Sequence, residues 1–398
     1  MENEDRCMIW RQRLAKATLL ALAGSVGCLV LAPLAVAQSR HSQSGTAIAS
    51  SHPRVQGSFP AWLSSSQRMK AAGGEGNSDR RLPNHSPPDN RETTLPELSP
   101  PLGIPAVPFP EDNPPTRGKV DLGRQLFFDP RLSSNESISC GSCHIPEQAF
   151  TDNETTSRSL GGNKGTRNTP TVINAAFQPY QFWDGRASSL EDQALLPLEN
   201  PGEMGSSIPS ILDRLNQAPQ YRDAFRRVFG SSATRQNLAQ ALASFERTIL
   251  SGNSAYDQYV AGHATALSPK AAEGMKLFEG KAHCRLCHQG YNFSDGVFHN
   301  LGVGWDGTRF ADEGRRAVTG IVKDLGAFKT PTLRQVAQTA PFMHDGSLAN
   351  LEAVVDFYDR GGQPNPHLDP LVQPLRLTAE EKEALVEFLR SLSGKVTF

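Results

Sequence analysis

Two pentapeptides of one form, Cys140-Gly-Ser-Cys143-His144 and Cys284-Arg-Leu-Cys287-His288, carry the residues of this chain best suited to chemistry. On a helical turn, cysteines three apart share one face, and here a histidine directly follows them. Two thiols so placed reach the vinyl groups of one porphyrin as thioethers while the imidazole reaches its iron, which makes Cys-x-x-Cys-His the signature of covalent c-type haem. Two other readings compete. Zinc needs two further ligands of the same kind nearby, and an exchange dithiol needs no histidine after it. Duplication and the cysteine usage below favour two covalently bound c-type haems, with His144 and His288 as proximal ligands.

The cysteines have no other task. Of six, Cys7 and Cys28 lie near the start, where Arg11, Arg13 and Lys16 precede an apolar run that closes on Ala35-Val36-Ala37. That is the form of a cleaved secretory signal over residues 1–37. An uncleaved anchor is the alternative, though Gly24, Gly27 and Pro33 interrupt the run. The four remaining cysteines all belong to the pentapeptides, so an exported protein of this size has no ordinary disulfide framework. Residues 38–99 are rich in Ser, Pro, Gly, Asn and Arg without apolar periodicity and read as a disordered linker. The 398 residues carry a formal net charge of −1, which implies neither nucleic acid nor an acidic membrane surface as partner. After signal cleavage no stable membrane association is expected.

The elements that must position the pentapeptides are mainly helical. "RGKVDLGRQLFFDPRL" reads as a short helix stopped by Pro130. Residues 236–250 put Leu238, Leu242, Phe245 and Ile249 on one helical face. Ser268 and Pro269 open another helix, and Thr378 with Glu381 forms a capping box for a last one carrying Leu385, Phe388 and Leu392. Strand patterns are scarce. "TPTVINAAFQPYQFWDGRASSLE" (169–191) and "TPTLRQVAQTAPFMHDGSLANLE" (330–352) align without a gap at an offset of 161. Each lies downstream of one pentapeptide, and each pentapeptide follows a Gly-x-x-Leu-Phe helix. The expected architecture is therefore mainly α, with two haem domains related by an internal repeat, at 100–262 and 263–398.

The sixth position on each iron decides whether a haem only passes electrons or reacts with a small molecule. Continued in register, the repeat sets Pro197 opposite Tyr358. Proline offers iron nothing, whereas a tyrosine phenolate binds ferric haem. Tyr358 as an ordinary half-buried tyrosine is the plainer reading, and Met343 and His344 are rival ligands. Gln193 and Glu203 flank Pro197, and a carboxylate beside an open haem can move a proton between peroxide oxygens; a solvated loop glutamate is the bland alternative. Trp183 is either core packing or an electron relay between haems. His263, His283, His299 and His367 are assigned to the surface or to supporting roles.

"LGRQLFFDPRLS", "SCGSCH", "RNTPTVINA", "FWDGR", "PFMHDGSL" and "FYDRGG" together resemble the bacterial di-haem cytochrome c peroxidase superfamily, which includes the MauG-type enzymes. The likeness runs from about Pro101 onward. It implies two cytochrome c-like haem domains, a periplasmic location, calcium between the domains and reaction of hydrogen peroxide at the first haem. By this resemblance Cys140, Cys143 and His144 match the peroxidatic centre, and Cys284, Cys287 and His288 the electron-transferring one. Trp183 matches the tryptophan between the haems. Gln193, Pro197 and Glu203 match the distal pocket, with Glu203 as acid and base. Asn168, Thr339 and Pro341 match the calcium site, the last two through backbone carbonyls.

Two departures from the peroxidases stand out. The loop "SLGGNKGTRN" lacks the histidine that many of them carry to block the first haem, and tyrosine replaces the methionine they carry at position 358. Anionic tyrosinate stabilises ferric and higher-valent iron. The expected function is peroxide reduction at an open first haem, with electrons from a small periplasmic cytochrome or protein donor passing through the second. The alternatives are a MauG-type enzyme that oxidises residues of a partner protein, and a non-catalytic di-haem electron carrier.

Overall fold

A computed structural model describes residue 95 and residues 98–398, apart from 159 and 163. The expected signal peptide and almost all of the expected linker lie outside the described residues. The chain is mainly helical, as its patterning requires. Helices α1 (Arg117–Phe127), α2 (Cys140–Cys143), α3 (Leu190–Glu199), α4 (Ile208–Gln217), α5 (Pro219–Phe229) and α6 (Arg235–Glu246) come first. After strand β1 (Leu250–Gly252) follow α7 (Ala255–Val260), α8 (Pro269–Glu279), β2 (Phe298–Asn300), α9 (Arg316–Thr319), β3 (Ala327–Lys329), α10 (Leu351–Asp359), α11 (Ala379–Arg390) and β4 (Lys395–Thr397). Among the described residues the strands form only two antiparallel pairs, β1 with β4 and β2 with β3. No helix among them is long and apolar enough to cross a membrane.

Local chemistry sets the helix ends. Thr116 accepts from the Lys119 amide at 3.2 Å to open α1, which stops short of Pro130. Ser268 caps α8 with Pro269 in its first turn, and Thr378 and Glu381 cap α11 reciprocally. The expectation for 236–250 needs correction. Helix α6 ends at Glu246, where Thr248 and Ile249 turn back onto the carbonyls of Phe245 and Glu246. These shorter bonds tighten the final turn and release the chain into β1. Ile249 is buried but not helical, and α6 is buried nearly all round rather than on one face.

Two hydrophobic cores are built in the same way. In the first, α1 crosses α6 so closely that a Cβ on Gly123 would lie 1.9 Å from the Ala241 carbonyl oxygen and 2.9 Å from Phe245 Cβ. In the second, α8 crosses α11, and a Cβ on Gly274 would meet the Ala384 oxygen at 1.9 Å and Phe388 Cβ at 2.9 Å. Only glycine permits backbones to approach so nearly. The offset of 161 also recurs in the backbone. Asn174 and Gln335 both take left-handed conformations, with φ of 57° and 61°, and both hydrogen-bond to Ser251. Helices α3 and α10 start at Leu190 and Leu351, behind the side-chain caps of Ser189 and Asn350.

Three links join distant parts of the fold. Arg334, 1% exposed, pairs bidentately with Asp257 at 2.6 and 2.9 Å. Tyr256, just before Asp257, packs on the second core. Strand β4 returns to β1, and beyond it the Phe398 ring sits 5.0 Å from Phe150 and 5.2 Å from the Arg124 guanidinium.

Candidate active site

Between the two cores runs one cavity of about 1370 Å³, lined by both pentapeptides. It exceeds the roughly 300–1,000 Å³ of an ordinary ligand pocket. Helix α2 carries Cys140 and Cys143, and a 3₁₀ turn at Cys284–Leu286 carries the second pair. All four are free thiols. Burial pushes Cys143 up to about 11 and Cys284 up to about 12, and Cys140 higher still. A working exchange dithiol has the opposite shift. The zinc reading also fails at the first pentapeptide, because among the described residues Cys140, Cys143 and His144 do not converge on one point.

The two histidines are held alike. His144 Nδ1 lies 3.1 Å from the Phe150 carbonyl, and His288 Nδ1 lies 2.9 Å from that of Phe293. A carbonyl only accepts, so Nδ1 carries the proton and Nε2 keeps its lone pair for a metal. Burial, the largest influence on each ring, lowers both pKa values and favours the neutral form. Aiming those carbonyls requires left-handed backbone at Phe150 and Phe293, with φ of 58° and 50°. Thr171 and Thr332, one repeat apart, brace the preceding carbonyls of Ala149 and Asn292 at 2.7 and 2.8 Å.

The other expected residues also reach the cavity. Gln193 and Pro197 sit one turn apart on α3, and Glu203 follows in the next loop, where Asn200 Nδ2 donates to its carboxylate at 2.8 Å. Tyr358 lies on α10 one turn beyond Val354. Burial first, then the thiols of Cys284 and Cys287, raise its hydroxyl pKa, and that hydroxyl has no hydrogen bond among the described residues. His344 is buried and stacks on Phe328, with ring centroids 3.6 Å apart. Desolvation lowers it to about 4. Met343, with φ of 74°, Thr339 and Pro341 line the same cavity.

Trp183 stands in a reciprocal crossing. Its indole N–H donates to the Asn168 carbonyl at 2.9 Å, and its own carbonyl accepts from the Lys329 amide at 2.8 Å. One repeat on, the His344 carbonyl accepts from the Asn168 amide at 2.8 Å. Asn168 and Lys329 are themselves 161 residues apart. Beside this crossing Arg167 grips Asp312 at 2.6 and 2.9 Å and Asp184 at 2.6 Å.

Sequence reasoning missed Lys329, Glu246 and Arg167, all of which line the cavity. Lys329 was findable, since the repeat sets it opposite Asn168. Desolvation pushes its ammonium down to about 8, and among the described residues it has no anionic partner. His299, left in a supporting role, is held between Asp369 at 2.6 Å and Asp295 at 3.0 Å.

These features fit two covalently held, dianionic porphyrins: paired free thiols, two imidazoles with free Nε2, and a cation without an anionic partner among the described residues, all in one large cavity. Comparisons with known proteins agree. Residues 117–265 match the family described as di-haem cytochrome c peroxidase. The chain is 40% identical over 292 residues to the methylamine utilization protein MauG of Methylorubrum extorquens, covering 73% of this chain and 82% of that protein. It is 39% identical over 330 residues to the cytochrome-c peroxidase IdrP1 of a Pseudomonas species, covering 75% and 86%. A solved structure of a MauG-like protein associated with microbial copper homeostasis matches with a TM-score of 0.69 and 34% identity, covering 74% of this chain and 95% of that one. The chain thus belongs to the di-haem cytochrome c peroxidase family, whose members are haem oxidoreductases.

Proposed function

We propose that this protein is a periplasmic peroxidase with two unequal haem centres, in domains spanning 100–262 and 263–398. Cys140, Cys143 and His144 would hold one haem, and Cys284, Cys287 and His288 the other, with Lys329 offering charge to a propionate. When bound, the haems supply the iron at which the peroxide O–O bond is cleaved and the stores through which electrons arrive. Pro197, with no donor atom, would offer no ligand at the first site and leave room there for peroxide. Glu203 takes the proton from the proximal peroxide oxygen and returns it to the leaving one. Gln193, on the same face of α3, orients the bound oxygens. Tyr358 closes the second site, and Trp183 spans the region between them. Asn168, with the carbonyls of Thr339 and Pro341, would hold calcium near this crossing.

The observation that carries the reading is the placement of Pro197 and Tyr358 at matching turns of α3 and α10, both facing the cavity. Tyr358 is preferred to Met343 and His344 because it occupies the cavity-facing position of α10 that matches Pro197 in α3, while the His344 ring is stacked on Phe328. The tyrosine and the loop 159–168 without histidine support a second reading, a MauG-type role that oxidises residues of a partner protein. Electron paramagnetic resonance of the ferric, haem-loaded full chain tests the asymmetry, with one high-spin and one low-spin centre expected. Two low-spin centres would overturn it and leave an electron carrier. Stopped-flow mixing with peroxide separates the two enzymatic roles: immediate reaction of the ferric protein supports the modifier, and a requirement for prior half-reduction supports the standard peroxidase.

A further inference from the structure

Glu246 ends α6 with its side chain in the wall of the cavity, 5% exposed even before any ligand fills that space. Its Oε2 is buried without a hydrogen-bond partner, and among the described residues its carboxyl makes no hydrogen bond. Such a group is costly to bury in either protonation state, and most costly as an anion. Counting along the two helices from the matching close approaches, Gly123 on Ala241 and Gly274 on Ala384, shows how unusual the residue is. Leu242 then corresponds to Leu385, and Glu246 to Leu389, all four of them cavity-lining. The second site has leucine where the first has an acid.

The charged neighbours do not neutralise Glu246. Arg247, next in the chain, gives its guanidinium bidentately to Glu191 of α3, at 2.6 and 2.9 Å. On α1, Lys119 is committed to the Asn113 side chain and the Pro114 carbonyl, and Arg124 lies over the rings of Phe245 and Phe398. From α2 the nearby group is the Cys140 thiol, whose pKa Glu246 helps to raise. Burial, opposed by Arg247 and reinforced by Glu191, pushes the Glu246 carboxyl up to about 8.

We propose that Glu246 is the proton-loading group of the first haem: it binds a proton when that centre gains an electron and releases it when the centre is oxidised. The electron comes from the protein donor of the peroxidase reaction. The proton comes from solvent and forms an O–H bond on one carboxylate oxygen, and that bond breaks on reoxidation. An electron added to a low-dielectric cavity is thereby offset by a proton close at hand. Glu246 is a positioning group for charge and does not touch peroxide, the role given to Glu203.

The inference rests on the first cavity holding haem, so haem attachment to both pentapeptides is checked first, by the absorption spectrum and mass of the full chain. A protein without haem on Cys140 and Cys143 overturns the functional reading and this inference with it. With both haems present, spectroelectrochemical titration between about pH 6 and about pH 9 follows each midpoint potential. The potential of the first haem is expected to fall as pH rises, and that dependence to be lost in Glu246→Gln and in Glu246→Leu, which copies the second site. The dependence of the second haem is expected to be unchanged. A wild-type first haem insensitive to pH, or a slope that survives in either variant, overturns the inference alone. Should the variants not fold, reduced-minus-oxidised infrared spectra of the wild type decide. A protonated-carboxyl band that appears on reduction and shifts on carbon-13 labelling of glutamate supports the assignment, and its absence refutes it.

Discussion

Pro197 and Tyr358 stand at the same depth in two helices, each one turn beyond a cavity-lining residue, Gln193 in α3 and Val354 in α10. One contributes a ring without a donor atom and the other a hydroxyl that has no hydrogen bond among the described residues. The two matching helices thus present different side chains to the cavity at this pair.

Replacing Tyr358 with phenylalanine is expected to change the low-spin resonance of one ferric haem and leave the other signal intact. Because the hydroxyl makes no hydrogen bond among the described residues, thermal stability of the haem-free chain should move by no more than about 1 kcal/mol. Unaltered spectra would remove Tyr358 from the iron.

Glu203→Gln keeps the Asn200 contact geometry but cannot carry a proton. Its kcat/KM for peroxide should fall by about 10²–10⁴-fold, the usual worth of a positioned acid-base group, with both haem spectra retained. Steady-state peroxide consumption measures this, and turnover at the wild-type rate would end the assigned role.

Arg334→Met leaves Asp257 as a buried, uncompensated charge. A loss of about 3–5 kcal/mol is expected in denaturant unfolding. A double change with Asp257→Leu should recover much of that loss, since removing both charges relieves the burial cost.

Acid sensitivity follows from Arg167. Burial works to raise the Asp312 carboxyl, but the Arg167 guanidinium and the Gly314 amide outweigh it and hold the pKa below the ordinary value. A depressed folded pKa means that the unfolded chain takes up the proton first. The contribution is thus whole above about pH 4 and is lost as pH falls through the folded value. Asp312→Asn should cost about 1–3 kcal/mol near neutrality, and the gap to wild type should close in acid.

What could be read beforehand was what neighbours in sequence decide. The Ser268 and Thr378 caps and the stop before Pro130 are local chemistry, and the structure carries them as expected; the two pentapeptides are local motifs of the same kind. The repeat offset extended this reach to Pro197 and Tyr358. Features set by distant partners were not legible. Arg334 and Asp257 look like solvent-facing charges until folding buries them together. Phe150 and Phe293 show no sign in their type that they adopt left-handed backbone to aim a carbonyl. Glu246 lies inside an apolar helical pattern, and nothing in its residue type shows that folding buries it in a cavity wall. Strands of three residues, such as β1 and β4, give too short an alternation to detect.

The return of β4 to β1 has a bearing on biosynthesis. Val396 packs on the first core, and Phe398 covers Phe150, whose carbonyl orients His144. A polypeptide delivered in order therefore leaves its earlier compartment unsealed until almost all of the later one has emerged.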